Sequence, residues 1–230
     1  MSHADPSRED DRSKRRAGLM KNRAYHALKK LILDETIAPG AFLSERQLAA
    51  QLNMSKTPIK VALERLESEG FISVTPQQGI IVHDLSLAEL AEHFEVRELL
   101  EPYVARRVAG TVSPEQRVRV EQNLAASRAA ADALDAATTL WIDSEFHLMW
   151  CEFLGNREIM LTMQRLRDRI HRAIRRVTSL NPQRMLGSQL EHEHIAAAIF
   201  AGDGELAAKL SEEHLAYGRQ LLVAPPNSLE

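Results

Sequence analysis

The chain has 230 residues and a mass of 25.8 kDa, and its 44% hydrophobic and 27% charged residues suffice for one or two packed domains, which excludes a wholly disordered protein. Its formal net charge of −3 divides into +3 over residues 1–80 and −6 over residues 81–230, so any affinity for nucleic acid has to be local to the N-terminal part. A single cysteine, Cys151, excludes an intramolecular disulfide, and because neither a secretory signal nor a membrane-spanning apolar run is found, we expect a cytoplasmic protein that does not enter membranes.

The first elements are predicted to be helices. Residues 1–18 are polar and lack apolar periodicity, so we expect a flexible arm there. From Tyr25 the apolar residues follow helical spacing until Ala38-Pro39-Gly40 ends the helix. Ser44 is the predicted N-cap of a short second helix, and Ser55 is the predicted N-cap of a third helix. A brief turn joins the second helix to the third.

A change of hydrophobic period follows the third helix. Alternating apolar residues predict two strands, residues 71–75 and 80–82, joined by the tip Pro76-Gln77-Gln78-Gly79. Two short helices joined by a tight turn and followed by a hairpin match a winged helix-turn-helix. We therefore take residues 19–84 as a DNA-binding domain of this kind.

The remainder of the chain shows only helical periodicity. Short breaks between successive helices imply an antiparallel all-α bundle. The fold class is accordingly mostly α, with a bundle domain over residues 85–224 and a short tail over residues 225–230. The predicted helices are 86–109, 114–135, 138–154, 157–179, 183–201 and 204–222.

The helix-turn-helix carries the candidate DNA-binding residues. A recognition helix offers its N-terminal turn to the major groove, where free backbone N–H groups attract phosphate and the first side chains reach base edges. The alternative is a small helical domain whose cations are only solvated surface charge. In the wing, Gly79 would allow close backbone approach to the minor groove. The candidates are Ser44, Arg46, Ser55, Lys56, Thr57, Lys60, Gln78 and Gly79.

A longer pattern makes this interpretation more specific. Residues 37–79 read I-x-P-G-x-x-L-S-E-R-Q-L-A-x-x-L-x-x-S-K-T-P-I-K-x-A-L-x-x-L-x-x-E-G-F-I-x-x-x-P-x-x-G, which resembles the winged helix-turn-helix of GntR-family transcription regulators over its full length. Lysines stand at 56 and 60, where the family usually has arginines, and a lysine is a point charge rather than a bidentate fork for guanine. The resemblance implies operator contacts by Arg46, Lys56, Thr57, Lys60 and Gly79.

Polar residues on apolar helix faces mark a second candidate site. Asp143 and His147 are four residues apart on one face, and such groups need a partner or cost several kcal/mol when buried. His192 lies on the apolar face of its helix, whereas His194 points about 200° away. With His214 on the last helix, these residues form a ligand set for Zn²⁺, with Ni²⁺, Mn²⁺ or Fe²⁺ as alternatives. In the other interpretation each side chain is satisfied separately by backbone or by a salt bridge.

The pattern around these residues resembles a known effector domain. D-x-x-x-H at 143–147, E-H-x-x-I-x-x-A-I-x-x-G-D at 191–203 and H-L at 214–215 are similar to the FCD domain of the FadR subfamily. The resemblance implies a divalent ion held by Asp143, His147, His192 and His214, with a small carboxylate, often a hydroxy or keto acid, bound beside it. It also places Arg97 and Glu101 at a position that faces the cavity, where the guanidinium would bind the effector carboxylate, unless the two form only a structural salt bridge.

Together the two resemblances imply a DNA-binding transcriptional regulator that is not an enzyme. We expect a repressor that binds a palindromic operator as a homodimer and releases double-stranded DNA when the effector binds. Two alternatives use the same site: a metal-dependent enzyme and a direct metal sensor. The enzyme would need a second carboxylate as general base, and Glu145 lies on another face from Asp143.

Overall fold

The computed structural model describes residues 6–75, 79–84, 86–178 and 183–223. Within these ranges, the structure describes the side chains of all residues except 6–17, 136–137, 171–178, 183–186 and 221–223. The chain forms two compact units, Met1–Asp84 and Leu85–Glu230. The predicted tail over residues 225–230 lies outside the described residues.

The described part of the first unit contains three helices and a small sheet. Ser44 begins the second helix with a capping box, because its hydroxyl accepts from the Gln47 N–H and the Gln47 side chain accepts from the Ser44 N–H at 2.9 Å. Asn53, with φ of 50°, forms the predicted turn, a conformation that asparagine tolerates better than most residues. The elements are α1 (Pro6–Leu33), β1 (Phe42–Leu43), α2 (Glu45–Gln51), α3 (Lys56–Ser68), β2 (Ile72–Thr75) and β3 (Gly79–Val82).

The start of α1 corrects the expectation of a flexible arm over residues 1–18. The helix begins at Pro6 and runs for 28 residues, so residues 6–18 are helical. Proline suits a first helical turn, and the Arg, Lys, Glu and Ala residues that follow are good helix formers. A helix of this kind needs no apolar stripe of its own, which is why hydrophobic periodicity missed it.

The sheet has three strands instead of the two predicted. Its order is β1-β3-β2, and both pairs are antiparallel. Phe42 pairs with Ile81 and Leu43 with Ile80, so the extra strand has only two residues, too few for an alternating pattern to reveal it. The sheet and the three helices enclose one core that includes Tyr25, Leu28, Ile32, Leu48, Ile59, Leu63, Leu66, Phe71, Ile72, Ile80 and Val82.

The described residues of the second unit form helices joined by short connections and no strand, and every predicted helix is present within a few residues of its expected ends. Ser86 and Ser113 begin the first two helices with capping boxes. None of the described helices is long and apolar enough to cross a membrane. The helices are α4 (Leu87–Val108), α5 (Pro114–Asp132), α6 (Ala136–Leu154), α7 (Arg157–Thr178), α8 (Gln183–Ala201) and α9 (Gly204–Val223).

Packing in this unit directs α4, α6, α8 and α9 toward a common interior. Helix α4 packs along α9, and α8 packs against both. Small residues on α9 allow this approach: a Cβ at Gly218 would lie 3.4 Å from the Phe94 ring. The core, which includes Phe94, Val104, Phe146, Trp150, Ile195, Ile199 and Leu215, surrounds a group of buried polar side chains.

Candidate functional site

The N-terminus of α3 is exposed and open to an anion. Ser55 occupies the N-cap position, but its side chain makes no capping hydrogen bond. The first N–H groups of α3 have no intrahelical acceptor, and the helix dipole places partial positive charge at this end. Lys56, Thr57 and Lys60 are exposed on the first two turns. This end of α3 therefore combines free backbone donors with two cations.

The basic side chains of the first unit differ in whether an acid neutralises them. Within the described residues, Arg46, Lys56 and Lys60 make no hydrogen bond or ion pair and are exposed. Three other cations are paired: Lys29 with Glu69 at 2.8 Å, Lys30 with Asp34 at 2.6 Å and Arg65 with Glu69 at 3.0 Å. Arg46, Lys56 and Lys60 lie on the first turns of α2 and α3, where the sequence predicted DNA contacts; within the described residues, Lys21 and Arg23 on α1 are also exposed and unpaired.

Two of the predicted DNA-binding residues, Ser44 and Gly79, have structural roles in the first unit. The Ser44 hydroxyl is occupied in the capping box of α2. Gly79 has a φ of 107°, and a Cβ built on it would lie 2.7 Å from the Leu43 carbonyl oxygen. The close approach of β1 and the positive φ thus explain this glycine without DNA. Gln78 lies outside the described residues.

Three histidines of the second unit meet in the interior. One ring nitrogen from each of His147 on α6, His192 on α8 and His214 on α9 lies within 4.8 Å of the other two. The Nε2 atoms of His192 and His214 are 3.3 Å apart. Asp143, one turn before His147, places Oδ1 at 3.6 Å from His192 Nε2 and Oδ2 at 3.9 Å from His147 Nε2. The structure therefore brings together all four residues of the predicted ligand set.

Carboxylates outside this cluster set the orientation of two rings. His147 Nδ1 lies 2.7 Å from Glu101 Oε2, and His214 Nδ1 lies 2.6 Å from Glu191 Oε2. A neutral imidazole that donates from Nδ1 presents its Nε2 lone pair on the opposite side. Burial lowers the pKa of His214 more strongly than Glu191 raises it, so the neutral ring is favoured. In its neutral form each of the two rings directs an Nε2 acceptor atom into the cluster.

The fit of a metal ion rests on an unsatisfied atom at the centre. His147 Nε2 is buried and has no hydrogen-bond partner. A buried polar atom without a partner costs about 1–3 kcal/mol, and an ion bound at this position would remove the penalty. Two nitrogen ligands of a tetrahedral Zn²⁺ lie about 3.3 Å apart, comparable with the 3.3 Å between the Nε2 atoms of His192 and His214. The residues present fit a divalent ion.

The structure also separates the two histidines of the E-H-E-H stretch. His192 is 1% exposed and its ring stacks on Phe146 at 4.1 Å between ring centres, whereas His194 is exposed. Sequence reasoning missed two neighbours of the cluster: Glu191, and Ser188, whose hydroxyl donates to Asp143 at 3.3 Å. Adjacent helical residues point about 100° apart, so no spacing rule indicated that Glu191 also reaches the cluster.

The predicted effector residues are buried next to the cluster and contact each other. Arg97 Nε donates to Glu101 Oε1 at 2.5 Å, and the two side chains are only 8% and 6% exposed. Burial alone would raise the pKa of Glu101, but the charge of Arg97 and the contact with His147 hold it well below its usual range. Arg97 makes no other hydrogen bond within the described residues, so its terminal amino groups are available to a ligand.

The fold and the site define the class: a winged-helix DNA-binding protein with a second, helical domain that encloses a histidine cluster. Residues 20–82 match the family described as bacterial regulatory proteins, gntR family, and residues 92–217 match the FCD domain. The chain belongs to the GntR family, carries an FCD domain and is a DNA-binding transcriptional regulator.

Individual relatives agree with this placement. The HTH-type transcriptional repressor RspR of Escherichia coli is 28% identical over 193 residues, which cover 83% of each chain. The Nta operon transcriptional regulator of Aminobacter aminovorans is 30% identical over 70% of this chain and 74% of its own. Among solved structures, E. coli McbR/YncC superposes with a TM-score of 0.78 at 22% identity, covering 88% of this chain and 96% of that one, which shows the shared fold.

Proposed function

We propose that this regulator is a repressor whose affinity for its operator is controlled by a small carboxylate bound beside a divalent ion in the helical domain. The observation that carries the proposal is the buried, unpartnered His147 Nε2, which faces Asp143 and two further histidines. RspR, which is similar over most of both chains, is named a transcriptional repressor, and this supports the sign of regulation.

The ion would be held by Asp143, His147, His192 and His214, with Zn²⁺ as the first candidate and Ni²⁺, Mn²⁺ or Fe²⁺ as alternatives. When bound, a divalent ion supplies a positive charge and, by expanding its coordination beyond the four protein ligands, would supply a position for a carboxylate oxygen. The four residues come from α6, α8 and α9, so they draw three helices to one point. His147 and His214 keep their Nε2 lone pairs directed there through Glu101 and Glu191.

The effector would be a small carboxylate, for example a hydroxy or keto acid, held by the terminal amino groups of Arg97. A guanidinium binds a carboxylate through two parallel N–H bonds, and Arg97 has those donors available while its Nε holds Glu101. Arg97 lies on α4, whereas the proposed ion ligands lie on other helices. An effector that contacts both would stabilise one arrangement of the bundle.

On DNA, the exposed N-terminus of α3 and the unpaired cations Arg46, Lys56 and Lys60 would contact the operator. A homodimer with twofold symmetry would place two recognition helices on half-sites about one helical turn apart. Effector binding would change the relative placement of these two DNA-binding domains and weaken binding to the operator. Because a bacterial operator lies on the chromosome, the protein would act in the cytoplasm.

Two measurements on the purified full-length protein test the ligands of this proposal. Metal analysis should find about one equivalent of a divalent ion per chain, and a thermal-shift screen of small carboxylates should raise the melting temperature only of metal-loaded protein. A metal-free protein that cannot be loaded would overturn the ion site. Turnover of one of the carboxylates would favour the enzyme alternative, and an operator response to metal alone would favour a direct metal sensor.

A further inference from the structure

One carboxylate in the helical domain contacts two groups with different proposed tasks. Glu101 uses one oxygen for each: Oε1 accepts from Arg97 Nε at 2.5 Å, and Oε2 lies 2.7 Å from His147 Nδ1. All three side chains are more than nine-tenths buried, with 6–8% exposure. They form a continuous chain of hydrogen bonds from Arg97 to a member of the histidine cluster.

We propose that Glu101 and Arg97 are positioning residues for the ion site. Arg97 then sets the affinity of the histidine cluster for a divalent ion without contacting any atom that coordinates the ion. The inference rests on the proposed function, since it takes the cluster to be an ion site. It changes the expected role of Glu101. Both oxygens of this carboxylate accept hydrogen bonds from Arg97 and His147, so that of the two predicted effector residues only Arg97 can bind an effector.

The first step is the orientation of His147. A free imidazole exchanges between two tautomers, of which only the one protonated on Nδ1 offers Nε2 as a ligand atom. Glu101 accepts from Nδ1 and therefore selects this tautomer and fixes the plane of the ring. Removal of the carboxylate would allow Nε2 to carry the proton, which blocks coordination by His147.

The second step is the orientation of Glu101. Arg97 lies one helical turn before Glu101 on α4, and its guanidinium also lies 5.4 Å from the Phe94 ring centre. This packing gives the buried carboxylate one fixed donor and a neighbouring positive charge, which keep it ionised and oriented as an acceptor from His147. Without the Nε bond, Glu101 would lose the contact that sets its rotamer.

Burial distinguishes the contact between Glu101 and His147 from the equivalent contact between Glu191 and His214. Glu191, which lies 2.6 Å from His214 Nδ1, is 32% exposed, whereas Glu101 is 6% exposed. Electrostatic interactions are stronger where water is excluded. A carboxylate ligand that binds the free amino groups of Arg97 would shift the guanidinium, and through Glu101 this shift would reach His147. Ion binding and carboxylate binding are then reciprocally coupled.

The test is the Zn²⁺ affinity of the full-length protein, measured by competition with a chromophoric chelator. Glu101→Gln should weaken Zn²⁺ binding about 10–100-fold, which is the usual effect of removing such a supporting carboxylate. Arg97→Gln should weaken it about tenfold, and the double variant should bind no more weakly than Glu101→Gln alone. Glu145→Gln is the matched control, because Glu145 lies on α6 and pairs with Arg167 at 3.0 Å, outside the chain of bonds.

A second readout separates positioning from general stability. In zinc-free protein, ¹⁵N NMR of the histidine rings should show His147 protonated on Nδ1 in the wild type and a mixture of tautomers in Glu101→Gln. If Glu101→Gln does not fold, Arg97→Lys keeps the positive charge but loses the Nε bond, and it should still bind Zn²⁺ several-fold more weakly.

Equal Zn²⁺ affinities of folded wild type and variants would overturn the positioning role while leaving the ion site intact. A wild-type protein that binds none of Zn²⁺, Ni²⁺, Mn²⁺ and Fe²⁺ would overturn both the ion site and this inference.

Discussion

His192 Nε2 and His214 Nε2 lie 3.3 Å apart, although the two side chains come from different helices and 22 residues separate them in the chain. Because Glu191 occupies Nδ1 of His214, the Nε2 atom of that ring is an acceptor. Either a proton or an ion has to lie between such a pair. Asp143 and the unpartnered Nε2 of His147 add two further groups with lone pairs, and this set of four fits a divalent ion.

Substitution of His192 and of His194 in turn should show which of these two histidines binds the ion. His192→Ala should lower the affinity for Zn²⁺ at least tenfold, because it removes one of four donors. His194→Ala is the matched control: this side chain is exposed two positions away and should leave the affinity unchanged. Calorimetric titration of Zn²⁺ into metal-free protein measures both, and the reverse order of effects would move the ligand assignment by two residues.

Substitution of a recognition-helix lysine should change the salt dependence of DNA binding. Lys56→Ala should reduce the slope of log affinity against log salt by about 0.9, the value for one lost phosphate contact. Lys30→Ala should not, because the charge of Lys30 is already paired with Asp34 at 2.6 Å. Fluorescence anisotropy with an operator duplex at several salt concentrations measures the slopes. Identical slopes for Lys56→Ala and wild type would remove Lys56 from the DNA interface.

The wing should depend on the absence of a side chain at Gly79. Gly79→Ala combines a φ of 107° with a Cβ only 2.7 Å from the Leu43 carbonyl oxygen, so it should lower the free energy of unfolding by about 2 kcal/mol or more. Gly40→Ala has positive φ but open space around the Cβ, and it should cost about 1 kcal/mol. Chemical denaturation, with hydrogen exchange of the β3 amides, measures both costs. Equal costs would mean that the close approach of β1 and β3 is relaxed in solution.

Acid should destabilise the helical domain partly through His93. Burial and Arg169 on α7 lower the pKa of His93 against the opposing charges of Glu89 and Glu92, and His93 Nδ1 has no hydrogen-bond partner. The unfolded chain therefore binds a proton as pH falls below about 6.5 while the folded protein stays neutral at this site, so stability decreases on acidification.

The pH effect is measured against His93→Gln, which cannot titrate. Unfolding of metal-free protein is followed by tryptophan fluorescence, since Trp141 and Trp150, the only two tryptophans, both lie in the helical domain. The stability of wild type minus that of His93→Gln should be constant above pH 6.5 and should decrease below it. A difference that is flat through this range would show that His93 titrates alike in folded and unfolded chains.

Local signals in the sequence predicted most of the fold. The capping box at Ser44 and the buried stripe of α3 are physical determinants that act within a few residues, so they can be recognised without tertiary information. Strand β1 was missed because pairing with β3, not local pattern, makes Phe42 and Leu43 extended. The N-terminal extension of α1 was missed because it rests on helix propensity without an apolar stripe.

The candidate site was predictable as far as helix faces determine it. Helical spacing placed Asp143 with His147 and distinguished His192 from His194. The roles of Glu101 and Glu191 depend on how α4 packs against α6 and how α8 packs against α9, which no spacing within one helix encodes. For the same reason, the sequence left it open whether Arg97 and Glu101 pair with each other or face a ligand.

The proposed function requires one protein that both binds a specific duplex and changes its affinity for that duplex through the histidine cluster. The most direct measurement selects duplex sites from random DNA with metal-loaded full-length protein and then measures affinity for the selected site with and without a carboxylate that raises the melting temperature. We predict a palindromic site and at least a tenfold loss of affinity when the carboxylate is added, abolished in His192→Ala. Failure to enrich any duplex would rule out a specific operator, and an affinity that neither carboxylate nor metal removal changes would rule out control through the histidine cluster.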